Sequence, residues 1–167
     1  MAELIPDLDK AAHGRNFARG KEIFSSVLCI QCHHFAQGGG SVGPDLSAVG
    51  SRFNHHDILE SIIEPSKVIS EQYASLIVTT KGGDTIMGLV AEQNADHLTL
   101  VINPIAGTKK TIPAADIKSR EISPVSMMPP GLINVLTKDE IMDLLAYIES
   151  GGNEKAPAFV CVCESDD

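Results

Sequence analysis

The chain has 167 residues, 43% of them hydrophobic and 21% charged, which is enough to bury a core without disulfides and excludes a disordered or membrane-embedded class. Its formal net charge of −9 excludes nucleic acid, which requires a basic face, and favours a partner that is basic or meets an apolar patch. No apolar run approaches the roughly 20 residues that span a bilayer, and residues 1–10 hold no signal-peptide core, so Met1 is read as the start of a mature domain whose native context supplies an export signal or further domains.

From Gly14 to Val27 the residues Phe17, Ala18, Ile23, Phe24 and Val27 recur at helical spacing, with Gly20 as the weak point. This helix delivers the chain into Cys29-Ile30-Gln31-Cys32-His33. A CxxCH pentapeptide is the attachment motif of a c-type haem. The two thiols add to the vinyl groups as thioethers, the two intervening residues match the vinyl spacing on a turn, and the adjacent His is the proximal iron ligand. A zinc site would need a second ligand pair, and the remaining cysteines, Cys161 and Cys163, stand in an acidic C-x-C tail. A thioredoxin-type dithiol would need a βαβ context, which the glycine-rich segment after Cys32 lacks. One covalent haem c is the expected cofactor.

Beyond the motif, Gly38 to Ser41 forces a loop and Gly43-Pro44 an extended turn. Asn54 is placed to cap a helix with Asp57 at its third position and Ile58, Leu59, Ile62 and Ile63 as its apolar stripe, ended by Glu64-Pro65. After Ser70 the pattern becomes β-branched with period two. Tyr73–Thr80 and Thr85–Ala91 read as a hairpin around Lys81-Gly82-Gly83, followed by runs at His97–Ile102, Lys109–Ile112 and Ile117–Ile122, which suit a small curled sheet or barrel. The segment from Ser126 to Leu132 is a proline-stiffened loop with Met127 and Met128. Thr137 to Glu140 is a capping box for a last helix with Ile141, Leu144, Leu145 and Ile148 as its apolar face, stopped by Gly151-Gly152.

The iron's sixth ligand decides the chemistry. A Met thioether opposite His33 favours ferrous iron and raises the potential, as suits an electron carrier, whereas an open position suits sensing, ligand binding or peroxidase chemistry. The order of parts, a helix ending in CxxCH, a Gly-Pro-Asp-Leu stretch, a middle helix, a Met-Pro loop and a C-terminal helix, resembles a class I cytochrome c. Closer still, Gly43 to Leu46, Glu64 to Tyr73 and Met128 to Leu132 resemble the haem-binding domain appended to large secreted proteins of planctomycetes and verrucomicrobia, over about residues 15–155. The resemblance implies Met128, the methionine directly before Pro129, as the second iron ligand beside His33, with Met127 as runner-up. It also implies that the Pro44 carbonyl orients His33 through Nδ1–H, and that Arg52 pairs with a haem propionate.

The expected fold is a mainly α cytochrome c fold, helices around one haem, with an inserted small antiparallel β-sheet or barrel, α+β overall. Residues 1–70 and 124–155 form the expected haem domain, 71–123 the insertion and 156–167 a flexible tail. The expected function is one-electron transfer by a mono-haem, extracytoplasmic (periplasmic) protein that is not itself an enzyme and serves a redox partner or a fused dehydrogenase module. The alternative is a haem sensor or peroxidase-like domain with a labile sixth ligand; a further one is an interaction module with a structural haem. The insertion has no cluster of His, Cys or paired carboxylates and is assigned no chemistry, only shielding, partner docking or dimer formation. His34 is directed away from the iron by its position, His55 and His56 are lesser candidates for a bis-His iron, and Met87, Cys161 and Cys163 belong to no pattern.

Overall fold

Short polar side chains start the helices by accepting amides that a helix terminus leaves unpaired. Asn16 accepts the Arg19 N–H at 2.9 Å and opens α1 (Phe17–Ser26). A single turn, α2 (Cys29–Cys32), follows. Asn54 accepts the Asp57 N–H at 3.0 Å at the head of α3 (His55–Ile63). Thr137 and Glu140 form a capping box at the head of α4 (Lys138–Glu149), Glu140 accepting the Thr137 N–H at 2.7 Å. The structure, a computed structural model, describes residues 5–160; Cys161 and Cys163 lie outside the described residues.

The chain divides into two compact units, Met1–Glu64 with Pro130–Asp167, and Pro65–Pro129. In the first, α1 packs on α4, and α4 also meets α3 and a 3-10 turn at Val49–Ser51. Residues Ile141 to Ile148 of α4 are all buried, so this helix is surrounded rather than one-sided. Its crossing with α1 is close: a Cβ on Gly20 would lie 2.5 Å from the Asp143 carbonyl oxygen and 2.7 Å from Tyr147 Cβ. The residue that weakens α1 by propensity is thus the one that lets the two helices touch. Around the crossing, Tyr147 meets Phe17, Phe24 and Phe35 at centroid distances of 5.2, 5.7 and 5.1 Å, and Phe159 meets Phe17 at 5.2 Å. The end of the described chain is held here too, Arg15 donating its N–H to the Ala158 carbonyl at 2.8 Å.

Asp143 is fully buried between the same helices. Its carboxylate pairs with the Arg19 guanidinium, lies 3.5 Å from that of Arg15 and accepts the Asn16 N–H at 3.1 Å. Asp139, one turn earlier, pairs with Arg15 at 2.9 Å and with Arg19. A buried carboxylate persists only when its oxygens are satisfied in this way.

The second unit is an antiparallel sheet of β3 (Leu76–Thr80), β4 (Thr85–Gln93), β5 (His97–Asn103), β6 (Thr108–Pro113) and β7 (Ile117–Ile122), in the order β6-β5-β4-β3-β7. The first four form a meander, and β7 returns to pair with β3, placing Glu121 and Met87 on either side of Ile77. Val78, Leu98, Leu100 and Ile112 form its core, with Leu76, Ile86 and Ile117 packed against them. Register shifts at Val90/Glu92 and Val101/Asn103 add local twist. Two further strands, β1 (His34–Phe35) and β2 (Gly38–Gly39), pair with each other in the first unit.

These elements correct the expected fold class. The described residues form seven strands, five of them in one sheet, and four α-helices, of which α2 has 4 residues and α3 has 9. This is an α+β chain and not a mainly α cytochrome c fold. The physical reason lies in two stretches. Residues 33–54, rich in Gly and Ser, stay in turns and a small strand pair instead of adding helix, and the β-branched alternation from Leu76 to Ile122 builds a regular sheet with its own core rather than a minor insertion.

Candidate functional site

The CxxCH segment is set up by a break in the helix before it. Val27 closes α1, its N–H returning to the Ile23 carbonyl at 2.9 Å. Leu28 then takes a left-handed backbone with φ of 68°, a conformation that costs a side-chain-bearing residue roughly 1–2 kcal/mol and redirects the chain into a new turn. Within α2 the Gln31 N–H reaches the Leu28 carbonyl at 3.1 Å, and the His33 N–H reaches that of Cys29 at 3.0 Å. Residues three apart on a helical turn share a face, so Cys29 and Cys32 stand on one side of α2. Both are free thiols, Cys29 buried and Cys32 half-buried.

A single turn leaves its carbonyls without helical partners. The glycine-rich loop supplies them: Gly40 donates to the Ile30 carbonyl at 2.9 Å, Gly43 to that of Cys32 at 2.8 Å, and Leu46 to that of His34 at 2.9 Å. The same loop brings the Pro44 carbonyl oxygen to 2.8 Å from His33 Nδ1. A carbonyl only accepts, so Nδ1 carries the proton and Nε2 keeps its lone pair. Only glycine permits this approach, because a Cβ at Gly43 would lie 2.8 Å from His33 Cε1 and 2.9 Å from Nδ1. Desolvation holds the His33 pKa below its usual 6.5, against the smaller opposing pull of the Pro44 bond. A neutral imidazole, oriented through Nδ1 and bare at Nε2, is the form that ligates a metal.

The cysteines have the opposite character from an activated dithiol. Burial pushes the Cys29 thiol up to about 12 and raises that of Cys32, whereas redox-active and metal-binding cysteines need a stabilised thiolate. Among the described residues no three His, Cys, Asp or Glu side chains converge into a metal site. Two free thiols on one face of a turn, followed by a fixed imidazole in the cradle that Gly43 leaves open, do fit a covalently attached haem. The same unit has an open cleft of about 370 Å³ lined by Ile63, Pro130, Gly131, Ile133 and Asn134.

Cys29, Cys32, His33 and Pro44 are thus brought together. Arg52 belongs to the same unit and is exposed, its guanidinium carbon 5.5 Å from the Phe53 ring centroid, with no carboxylate paired to it among the described residues. Met128 belongs to the sheet unit; it and Met127 are half-buried, and Met128 donates its N–H to Ser126 Oγ at 3.1 Å. Among the other histidines, His34 Nδ1 lies 3.2 Å from Asp45 and His55 Nδ1 lies 2.5 Å from Glu149, tying α3 to the end of α4. Burial raises the Glu149 pKa, and His55 opposes that rise.

Sequence reasoning missed the arginine–aspartate clasp and the closeness of Gly20 to α4. A partial signal for the clasp was present: Asp139 and Asp143 are four apart and lie along one face of α4, whereas Arg15 precedes the Asn16 cap of α1 and only Arg19 stands on that helix. The sequence matches no protein-family model, and no curated protein matches it.

Proposed function

We propose that this chain carries one c-type haem, joined by thioethers to Cys29 and Cys32 with its iron held by His33 Nε2, and that it performs one-electron transfer rather than catalysis of its own. The observation that carries the proposal is the Nδ1–H to Pro44 bond on the histidine of a CxxCH turn, which leaves Nε2 as the one free ring nitrogen. The bound haem supplies an iron that cycles between ferric and ferrous states. The chain's part is to hold its ligand still through that cycle: Pro44 fixes the ring, Gly43 leaves room for it, and the loop bonds to Ile30, Cys32 and His34 fix the turn beneath it. In this reading Met128 supplies the second ligand, with Met127 as its alternate, and Arg52, exposed and paired with no carboxylate among the described residues, serves a propionate. Haem attachment of this kind assigns the protein to an extracytoplasmic compartment, the periplasm or its equivalent. Residues 65–129 hold six basic and six acidic side chains, so the net charge of −9 falls on the rest of the chain. A redox partner, free or fused as a dehydrogenase module, therefore meets an acidic unit, and charge complementarity sets the encounter rate. No helix among the described residues is long and apolar enough to cross a membrane.

Expressed with a c-haem attachment pathway, the protein should gain one haem that stays on the polypeptide under denaturing conditions and gives the alkaline pyridine spectrum of a haem with both vinyls saturated. Haem that separates from the denatured chain would overturn the reading. Gly43→Ala should lower the haem yield severalfold by pushing the His33 ring off Pro44, and an unchanged yield would show that the cradle is irrelevant.

A further inference from the structure

The hydrogen bonds that order the methionine loop all lie inside the sheet unit. Where the chain leaves β7, buried Ser123 donates its N–H to the Ser75 carbonyl at 2.8 Å. Its hydroxyl accepts the Val125 N–H at 3.0 Å and lies 3.3 Å from Met87 Sδ. Ser126 then donates its N–H to Ser66 Oγ at 3.0 Å and accepts the Met128 N–H on its own Oγ at 3.1 Å. Ser66 is 60 positions away in sequence, so this bond ties the loop to the start of the unit and is not a local turn. Pro129 bars helical backbone at Met128. The segment from Ser123 to Met128 is therefore pinned at Ser123, Val125, Ser126 and Met128 itself.

We infer that Ser66 and Ser126 are positioning residues that fix the Met128 backbone within residues 65–129. The inference rests on the reading of Met128 as ligand given above. A methionine on an untethered loop binds iron only for the fraction of time its loop is in the competent conformation, so its apparent affinity falls by that fraction. Tethering the backbone of the ligand residue removes that loss in advance of binding. The inference gives the sheet unit a role that its lack of His, Cys and carboxylate clusters leaves blank, and it accounts for Met87, whose sulfur lies beside the Ser123 hydroxyl at the root of the loop.

The test uses the haem-loaded full chain and three signals: covalent haem content, the near-infrared sulfur-to-iron band, and the rate of carbon monoxide binding to the ferrous form. Ser126→Ala and Ser66→Ala should each weaken the methionine–iron bond roughly fivefold, the worth of one hydrogen bond, seen as a weaker band and faster carbon monoxide binding at unchanged covalent haem. Ser126→Thr keeps the hydroxyl and should restore both. Ser75→Ala should behave as wild type, because Ser75 offers its carbonyl and its hydroxyl has no hydrogen-bond partner among the described residues. In the haem-free chain the Met128 amide should exchange with solvent faster in Ser126→Ala. If the wild type shows the band and both alanine variants keep it with unchanged carbon monoxide rates, the positioning role is overturned and the electron-carrier reading stands. If the wild type has covalent haem but no such band, Met128 is not the ligand and the positioning role falls with it. An unchanged Met128 exchange rate overturns the tether directly.

Discussion

The helical unit and the sheet unit are built on opposite plans. The first gathers unusual geometry around few residues: Leu28 with φ of 68°, Gly43 against the His33 ring, Gly20 against α4, and Asp143 buried between arginines. Four of the chain's five phenylalanines pack there with Tyr147 or with one another. The second is a regular meander, its core made by alternating Val, Leu and Ile and its charges balanced. Backbone strain and buried polar groups persist only where surrounding structure over-determines them, and they concentrate at functional sites. The contrast teaches that the CxxCH turn is held by rigid, costly surroundings, while the sheet unit is regular and orders its own methionine loop through the Ser66 and Ser126 bonds.

The largest effect that would break or sharpen this contrast is expected from Asp143→Ala. It removes the partner of two arginines at a site with no exposure; the arginine side chains are 13% and 41% exposed and can hydrate, so the loss is that of charged hydrogen bonds, roughly 1.5–3 kcal/mol. Amide exchange should accelerate in α1 and α4 while β3, β4 and β5 keep their protection. Equal loss in the sheet would mean that the two plans do not fold as separate units. Next comes Gly20→Ala. The new Cβ would meet the Asp143 carbonyl at 2.5 Å, and overpacking of this kind costs about 1–3 kcal/mol, partly offset by the roughly 1 kcal/mol that alanine gains in helix propensity. A melting temperature at or above that of wild type would show that the helices separate without penalty.

Much of this was legible in the sequence, and the failures have a common cause. Asn54 and Thr137 cap by local chemistry, and the strands follow local alternation, so positions a few residues apart suffice to place them, whereas the Asn16 cap lies inside the stretch that periodicity alone begins at Gly14. The CxxCH turn and Gly43-Pro44 were visible as motifs, and Pro44 was expected beside His33 from resemblance. What stayed hidden depends on partners more than 100 positions apart, such as Arg19 with Asp143 or Gly20 with Tyr147. A glycine in a helix reads as a weakness until the opposing helix is known. The fold class is a related case: the CxxCH pentapeptide points to helices, whereas the alternation from Leu76 to Ile122 carries a unit with its own core. The serine bonds of the methionine loop were equally unreadable, since Ser66 and Ser126 are ordinary polar residues until they meet.

The smallest expected effect is the acid limb of stability set by Asp139. Hydrogen bonds from Arg15 and then Arg19 hold its carboxyl below the ordinary value of 3.8. The folded state therefore favours the charged carboxylate more than the unfolded chain does. Its contribution to stability is fully present above pH 3.8 and is lost as pH falls through the lowered folded value. Because the carboxylate side chain is 60% exposed, solvent screens the pairs and the effect is small. The melting temperatures of wild type and Asp139→Asn should differ slightly at neutral pH, and the gap should close as pH drops below 3.8. A gap that persists unchanged into strong acid would assign the difference to packing rather than charge. The gap, and not either curve, isolates this residue, because Asp45 and Glu140 are also held below their ordinary values by hydrogen bonds and lose their contributions over the same acidic range.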